Sequence, residues 1–149
     1  MSMTLLFSCA EKLTSAGKKS DNDSAQNLRV MSYNIHHCNP PSVPGKIDLD
    51  AIAAVIKAQN PDLVALQEVD VNTIRAGKIN QASLLAEKLK MNFFFAKAID
   101  HEGGDYGVAI LSKYPLSENV IHRLTTQEGT KGEPRVLATA LVTLPGGQK

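Results

Sequence analysis

The chain has 149 residues, enough for one domain with its own hydrophobic core. Hydrophobic residues make up 43% of it, no apolar run is long enough to span a bilayer, and the formal net charge is +1. This balance excludes a strong global field that would attract nucleic acid or anionic lipid, although a local basic patch stays open. The two cysteines, Cys9 and Cys38, cannot form a disulfide framework. No Cys/His spacing is typical of a zinc site, because His36, His37 and Cys38 are too close together to enclose an ion by themselves.

The first 27 residues are predicted to precede the folded domain, which we place at residues 28–149. Residues 1–9 resemble the end of a lipoprotein-type export signal, with Cys9 as the lipidated residue, and a chance cysteine in a disordered N-terminus is the alternative. Residues 10–27 are small and polar, which is typical of a flexible tether. We therefore expect a protein of the bacterial cell envelope or a secreted protein, and otherwise a cytoplasmic one.

A strand, a helix and a second strand come next and predict a parallel βαβ unit. The first strand covers 28–35. The helix begins at Asp48 or Asp50, has apolar residues at positions i, i+3, i+4 and i+7, and ends before Pro61. The second strand is the short apolar run 63–66, whose continuous hydrophobicity is typical of a strand buried on both faces.

Two polar side chains, Asn34 and Glu68, lie where these strands end. Taken alone, Glu68 is more simply the first solvated residue of a loop, and Asn34 a turn former. Because parallel strands end at the same edge of a sheet, the two side chains should converge there, and this convergence favours a site. His36 and His37 follow the first strand in a proline-rich loop, where histidines are more often merely solvated, so we assign them no catalytic role.

The second half of the chain predicts a helix and four strands. Asn80 caps the helix, and the strands cover 91–99, 106–112, 120–124 and 135–144, with a turn at 101–105 that joins the first two as a hairpin. The Gly-Gly turn near residue 147 predicts a return strand. We therefore expect the chain to be a fragment that exposes an apolar sheet face.

Three blocks of the sequence resemble the endonuclease/exonuclease/phosphatase superfamily, which includes deoxyribonuclease I. They are LRVMSYNI at 28–35, PDLVALQEV at 61–69 and YGVAILSKYP at 106–115. The family fold is a four-layer α/β sandwich of two mixed sheets with helices outside. The resemblance covers its first half, so the expected fold class is α/β: one mixed β-sheet with helices on one face, truncated before the second sheet.

The resemblance also implies a chemistry. Family members cleave phosphate esters with Mg²⁺, or with Mn²⁺, and Glu68 matches the metal ligand. Asn34 matches the residue that helps to hold the phosphate or the attacking water. Arg135 falls where some relatives place a phosphate-contacting arginine, and Tyr106 lies near the expected cleft.

The function implied is that of the N-terminal fragment of a Mg²⁺-dependent phosphoesterase that hydrolyses phosphodiester or phosphomonoester bonds. The family's later motifs, a strand-ending His, a Gly-Asp-Phe-Asn block and a Ser-Asp-His block, do not occur in the 149 residues, so we expect this chain to be inactive. The alternative is a short non-catalytic binding module on the same scaffold. Asp70 is acidic where DNA-cleaving relatives can carry a basic residue, which favours small or lipid-linked phosphodiesters over duplex DNA.

Overall fold

The computed structural model describes residues 27–125 and 132–149, and these form two helices and six strands. A short 3₁₀ turn, His36–Cys38, follows the first strand. The elements in chain order are β1 (Val30–Asn34), α1 (Leu49–Gln59), β2 (Leu63–Val71), α2 (Gln81–Leu89), β3 (Asn92–His101), β4 (Gly104–Ser112), β5 (Leu116–Leu124) and β6 (Arg135–Val142).

The first four strands form one mixed sheet in the order β1-β2-β4-β3. β1 and β2 are parallel, as the βαβ pattern predicts, and the other pairs are antiparallel. The expected α/β class with a mixed sheet is confirmed. One detail differs: β5 and β6 pair into a second, two-stranded sheet, where we expected the chain to stop before one. Pro115 lacks the N–H that a continuing ladder requires, so the chain leaves the first sheet there.

The helix starts agree with the sequence. The Asp48 side chain accepts a hydrogen bond from the Ala51 backbone N–H at 2.9 Å, which decides between the two predicted caps of α1. The Asn80 side chain caps α2 in the same way through Ser83, at 3.0 Å. α1 ends at Asn60, whose φ of 45° lies in the left-handed region just before Pro61.

Both helices pack against one face of the mixed sheet and enclose the hydrophobic core. Burying these apolar side chains supplies most of the driving force for folding, at roughly 25 cal/mol per Å² of apolar surface. The fully buried aliphatic side chains of this core are Ile35, Ile52, Ile56, Val64, Leu66, Val69, Leu85 and Leu111.

The second sheet carries an exposed apolar surface. Its large hydrophobic side chains Val120, Ile121, Leu124 and Leu137 are 39–52% exposed. Val120 and Ile121 are neighbours along β5 and so lie on opposite faces of the ladder, and an apolar face exposed where a second sheet would pack stays a prediction. Aggregation through that face stays a prediction.

The β3–β4 hairpin forms as predicted, through a two-residue turn. Glu102 and Gly103 have φ values of 46° and 75°, the pair of positive values that a type I′ turn requires. Gly107 on β4 lies directly against the β3 backbone, since a Cβ added there would come 2.1 Å from the Ala96 carbonyl oxygen. Only glycine fits that position without displacing β3.

Within the described ranges, the structure contains no helix with the length and apolar content that crossing a membrane requires. The predicted signal, the lipidation of Cys9 and nearly all of the tether fall on residues 1–26, outside the described residues. Export and lipidation therefore stay predictions.

Cys38 generates a first prediction. Its side chain is fully buried, and this burial raises the pKa of the thiol to about 12. Because the thiolate is the reactive form, we expect Cys38 to resist a thiol reagent such as DTNB at pH 8 in the native protein. The measurement is the absorbance of released thionitrobenzoate in a Cys9→Ser variant, which removes the other thiol.

The same variant in guanidinium chloride provides the control, since unfolding should release one equivalent. Rapid reaction of one equivalent without denaturant would show that Cys38 is not buried.

Candidate active site

The ends of β1 and β2 bring Asn34 and Glu68 into contact. In the parallel register Asn34 lies opposite Gln67, one residue before Glu68. The Asn34 side chain donates a hydrogen bond from Nδ2 to Glu68 Oε1 at 2.8 Å. The predicted convergence of the two side chains is thus observed, while their functional roles stay predictions.

A β-bulge aims the Glu68 side chain. The register between β2 and β4 shifts between Leu66 and Val69, so that Gln67 and Glu68 together face Val108. Glu68 has a φ of 58°, in the left-handed region that a residue with a side chain seldom adopts. Such bulges redirect side chains next to functional sites, and this one moves the carboxylate out of the strand alternation.

Asn34 is fixed on both sides of its amide. Its Oδ1 accepts a hydrogen bond from the His36 backbone N–H at 2.9 Å, while its Nδ2 donates to Glu68. A backbone N–H can only donate, so the orientation of the amide is determined. Asn34 therefore joins the 3₁₀ turn to the bulge.

An open cleft of about 250 Å³ lies beside this pair, between the edge of the mixed sheet and the start of β6. It brings together all four residues that the sequence predicts for the folded part of the site. Asn34 and Glu68 come from β1 and β2, Tyr106 from β4 and Arg135 from β6.

Tyr106 and Arg135 differ in their surroundings. Burial raises the pKa of the Tyr106 hydroxyl, and the Glu68 charge adds to the effect. Arg75 lies over the Tyr106 ring, 5.4 Å from its centroid, which is cation–π distance. The Arg135 side chain is 66% exposed and pairs with Glu133 at 2.9 Å, so it lies at the solvated rim of the cleft.

His36 and His37 lie close to Glu68, although their place in a proline-rich loop indicated no role for them. One ring nitrogen of each and a Glu68 carboxylate oxygen all lie within 4.8 Å of one another. Such a group could hold a metal ion. Burial lowers the pKa of His37, and nearby Arg75 and His36 lower it further. The sequence signal that could have identified the two histidines is their position directly after the strand that ends at Asn34.

Asp70 points into the protein and away from the cleft. Its carboxylate is fully buried and accepts two hydrogen bonds from Arg75, from Nε at 2.7 Å and from Nη2 at 2.9 Å. The Thr73 hydroxyl donates a third at 2.8 Å. Asp70 is therefore a structural residue, and its acidity carries no information about the substrate. The preference for small or lipid-linked phosphodiesters over duplex DNA, which we drew from Asp70, thus loses its basis.

Gln81 connects this buried group to the histidine turn. Its Oε1 accepts a hydrogen bond from the Asp70 backbone N–H at 3.0 Å, and its Nε2 donates to the His37 carbonyl at 2.7 Å. Gln81 is itself fully buried on the first turn of α2. The buried Gln81 amide, with both its oxygen and its nitrogen hydrogen-bonded, thus holds the turn that carries the histidines to β2.

Comparisons with known proteins agree with this architecture. The model of the Endonuclease/Exonuclease/phosphatase family matches residues 31–146. Among solved structures, an endonuclease/exonuclease/phosphatase from Beutenbergia cavernae DSM 12333 is similar, with 32% identity and a TM-score of 0.64 over 80% of this chain and 35% of that one. An endonuclease/exonuclease/phosphatase family protein from Leptotrichia buccalis C-1013-b shares the fold at 17% identity, with a TM-score of 0.57 over 80% of this chain and 51% of that one. No match is found among curated proteins.

The Asp70–Arg75 pair generates a second prediction. Arg75→Met keeps much of the apolar stem but leaves the buried Asp70 carboxylate without its cation, so we expect a loss of about 3 kcal/mol in the free energy of unfolding. Urea unfolding followed by circular dichroism measures it. Lys97→Met is the matched control, because Lys97 pairs with Asp100 and Asp105 at solvent-accessible positions and its loss should destabilise the fold much less.

Equal losses in the two variants would contradict the assignment of Asp70 and Arg75 to a buried, mutually dependent pair.

Proposed function

Because the chain belongs to the endonuclease/exonuclease/phosphatase family, we propose that it supplies the metal-binding edge of a phosphoesterase that hydrolyses phosphodiester or phosphomonoester bonds. One observation carries the proposal. The Glu68 carboxylate stands at the wall of an open cleft and is oriented by Asn34. A carboxylate at the carboxyl end of buried strands lies where α/β sheets bind ligands.

The residues present are suited to Mg²⁺, or to Mn²⁺. Among residues 27–125 and 132–149, only Asn34 donates a hydrogen bond to the Glu68 carboxylate, which leaves oxygen lone pairs for a cation. Mg²⁺ prefers oxygen ligands and needs only one or two carboxylates beside water and substrate phosphate. A bound ion would polarise the phosphoryl group and stabilise the leaving oxygen.

The protein's own side chains would position the substrate. Asn34 holds the Glu68 carboxylate, and its fixed amide keeps that carboxylate at the mouth of the cleft. Arg135 can exchange its exposed partner Glu133 for a phosphate, because an exposed ion pair is worth only about 0–1 kcal/mol and a guanidinium fork matches phosphate oxygens. The Tyr106 side chain borders the same space.

The chain spans 35% and 51% of the length of the two solved relatives. We therefore propose the hydrolytic activity for a protein that contains these residues together with the family's later motifs. The catalytic groups of such a site act as a unit, so a part of it is expected to retain almost none of the rate. The 149-residue chain should bind the metal ion and the phosphate ester without turnover.

A third prediction concerns Glu68. In the gene product that contains these 149 residues and whatever its reading frame encodes beyond them, Glu68→Gln should lower the hydrolysis of bis-p-nitrophenyl phosphate with Mg²⁺ by about 100-fold or more. The substitution keeps the size and an acceptor for Asn34 but removes the negative charge. Release of p-nitrophenolate measures the rate, and Glu87→Gln, on an exposed position of α2, is the control.

Equal rates in the wild type and Glu68→Gln would refute the proposal. Calorimetry provides a second measurement on the 149-residue chain, where Mg²⁺ should bind to the wild type and not to Glu68→Gln. A chain that binds neither Mg²⁺ nor a phosphate ester would favour a different role for the cleft.

A further inference from the structure

We propose that His36, His37 and Glu68 form a site for a transition-metal ion of the Zn²⁺ and Co²⁺ class, and that this ion competes with Mg²⁺ for the shared Glu68 carboxylate. The competition rests on the proposed function, because it requires Mg²⁺ to bind at Glu68. The binding of the transition-metal ion itself requires only the three side chains.

The first support is the geometry of the three donors. The two imidazoles and the carboxylate each offer one ligand atom, and these atoms lie within 4.8 Å of one another. An ion bonded to nitrogen and oxygen at roughly 2.0–2.2 Å separates tetrahedral ligands by about 3.4 Å. The side chains therefore have to close by only about an ångström, which small χ rotations of partly exposed groups supply.

The second support is the tautomer of the His36 ring, that is, which of its two nitrogens carries the hydrogen. Its Nδ1 lies 3.0 Å from the Asn39 carbonyl oxygen. A carbonyl can only accept a hydrogen bond, so Nδ1 carries the proton and Nε2 keeps the free lone pair. Metal-bound histidines almost always donate their other ring N–H to such an acceptor, which fixes the tautomer and the orientation of the ring.

The third support is the rigidity of the turn that presents both rings. His36, His37 and Cys38 have φ values of 46°, 43° and 58°, three consecutive left-handed residues that are not glycine. This conformation is unfavourable for residues that carry a side chain, so it persists only because its surroundings impose it. Gln81 holds the His37 carbonyl at 2.7 Å, and the Asp48 N–H holds the Cys38 carbonyl at 2.7 Å. The two rings are kept 4.3 Å apart.

The chemistry of the donors determines the class of ion. Mg²⁺ prefers an all-oxygen environment and gives up its water reluctantly, so two imidazoles add little to its binding. Imidazole nitrogen suits Zn²⁺, Co²⁺ and similar ions. Two histidines with one glutamate are a known three-ligand set for zinc that leaves a position open to water or substrate. Two dications beside the single Glu68 carboxylate share its charge and repel each other, so each is expected to weaken the binding of the other, and the competition follows.

The experiment measures Co²⁺ and Mg²⁺ binding by the 149-residue chain in a Cys9→Ser background, through the visible absorption of bound Co²⁺ and by calorimetry. We expect His36→Gln and His37→Gln each to weaken Co²⁺ binding at least 10-fold and to leave Mg²⁺ binding unchanged. Glu68→Gln should weaken both. His122→Gln, on the exposed strand β5, is the control and should change neither.

The outcomes separate this inference from the proposed function. Loss of Mg²⁺ binding in Glu68→Gln, with Co²⁺ binding unaffected by either histidine variant, would overturn the inference and leave the proposed function standing. The reverse result, histidine-dependent Co²⁺ binding without Mg²⁺ binding, would keep the transition-metal site and remove the competition.

A measurement on the histidines of the unsubstituted chain covers the case in which a variant fails to fold. On addition of Zn²⁺, the imidazole ¹⁵N resonances of His36 and His37 should shift, while those of His101 and His122 stay unchanged. Shifts confined to His101 or His122, or no shifts, would overturn the inference. With Zn²⁺ bound, the apparent affinity for Mg²⁺ should fall as the Zn²⁺ concentration rises.

Discussion

The parallel pairing of β1 with β2 is the constraint on which the rest of the site depends. It sets Asn34 opposite Gln67 and so brings the end of one strand to the bulge of the other. The turn that directly follows β1, with its two histidines, then lies beside Glu68. A register slip of one residue would turn the strand's buried side chains to the opposite face, so the burial of Val64 and Leu66 under the helices also fixes the position of the carboxylate.

Behind this edge, a buried polar network holds the backbone in place. Asp70 is fully buried, yet Arg75 and Thr73 satisfy its oxygens, and Gln81 satisfies its N–H. In the low-dielectric interior these hydrogen bonds are strong, and leaving one of the polar groups unpaired would destabilise the fold. The network therefore has one favourable arrangement. The strained turn at His37 is attached to it through Gln81. The rigidity of the cleft edge thus comes from polar groups that never contact the cleft.

The sequence predicted what depends on local signals. The caps at Asp48 and Asn80, the βαβ unit and the hairpin follow from neighbouring residues, and the structure agrees. The parallel strands predicted that Asn34 and Glu68 converge, and the family resemblance supplied the roles expected of them. What could not be predicted depends on tertiary geometry that hydrophobic periodicity does not encode: the left-handed bulge at Glu68, the burial of Asp70 and the second sheet. Periodicity cannot tell a solvated carboxylate from one that meets an arginine inside the fold.

The two-residue turn between β3 and β4 has a consequence for how the sheet assembles. Joining these strands closes a minimal loop, and the chain loses little configurational freedom in doing so. The contact between Asn34 and Glu68 spans 34 residues and requires the crossover helix to be in place as well. Loop-closure entropy rises with that separation, and pairings across distant parts of a chain are intrinsically slow. The edge that carries the site therefore forms at a higher entropic cost than the β3–β4 hairpin.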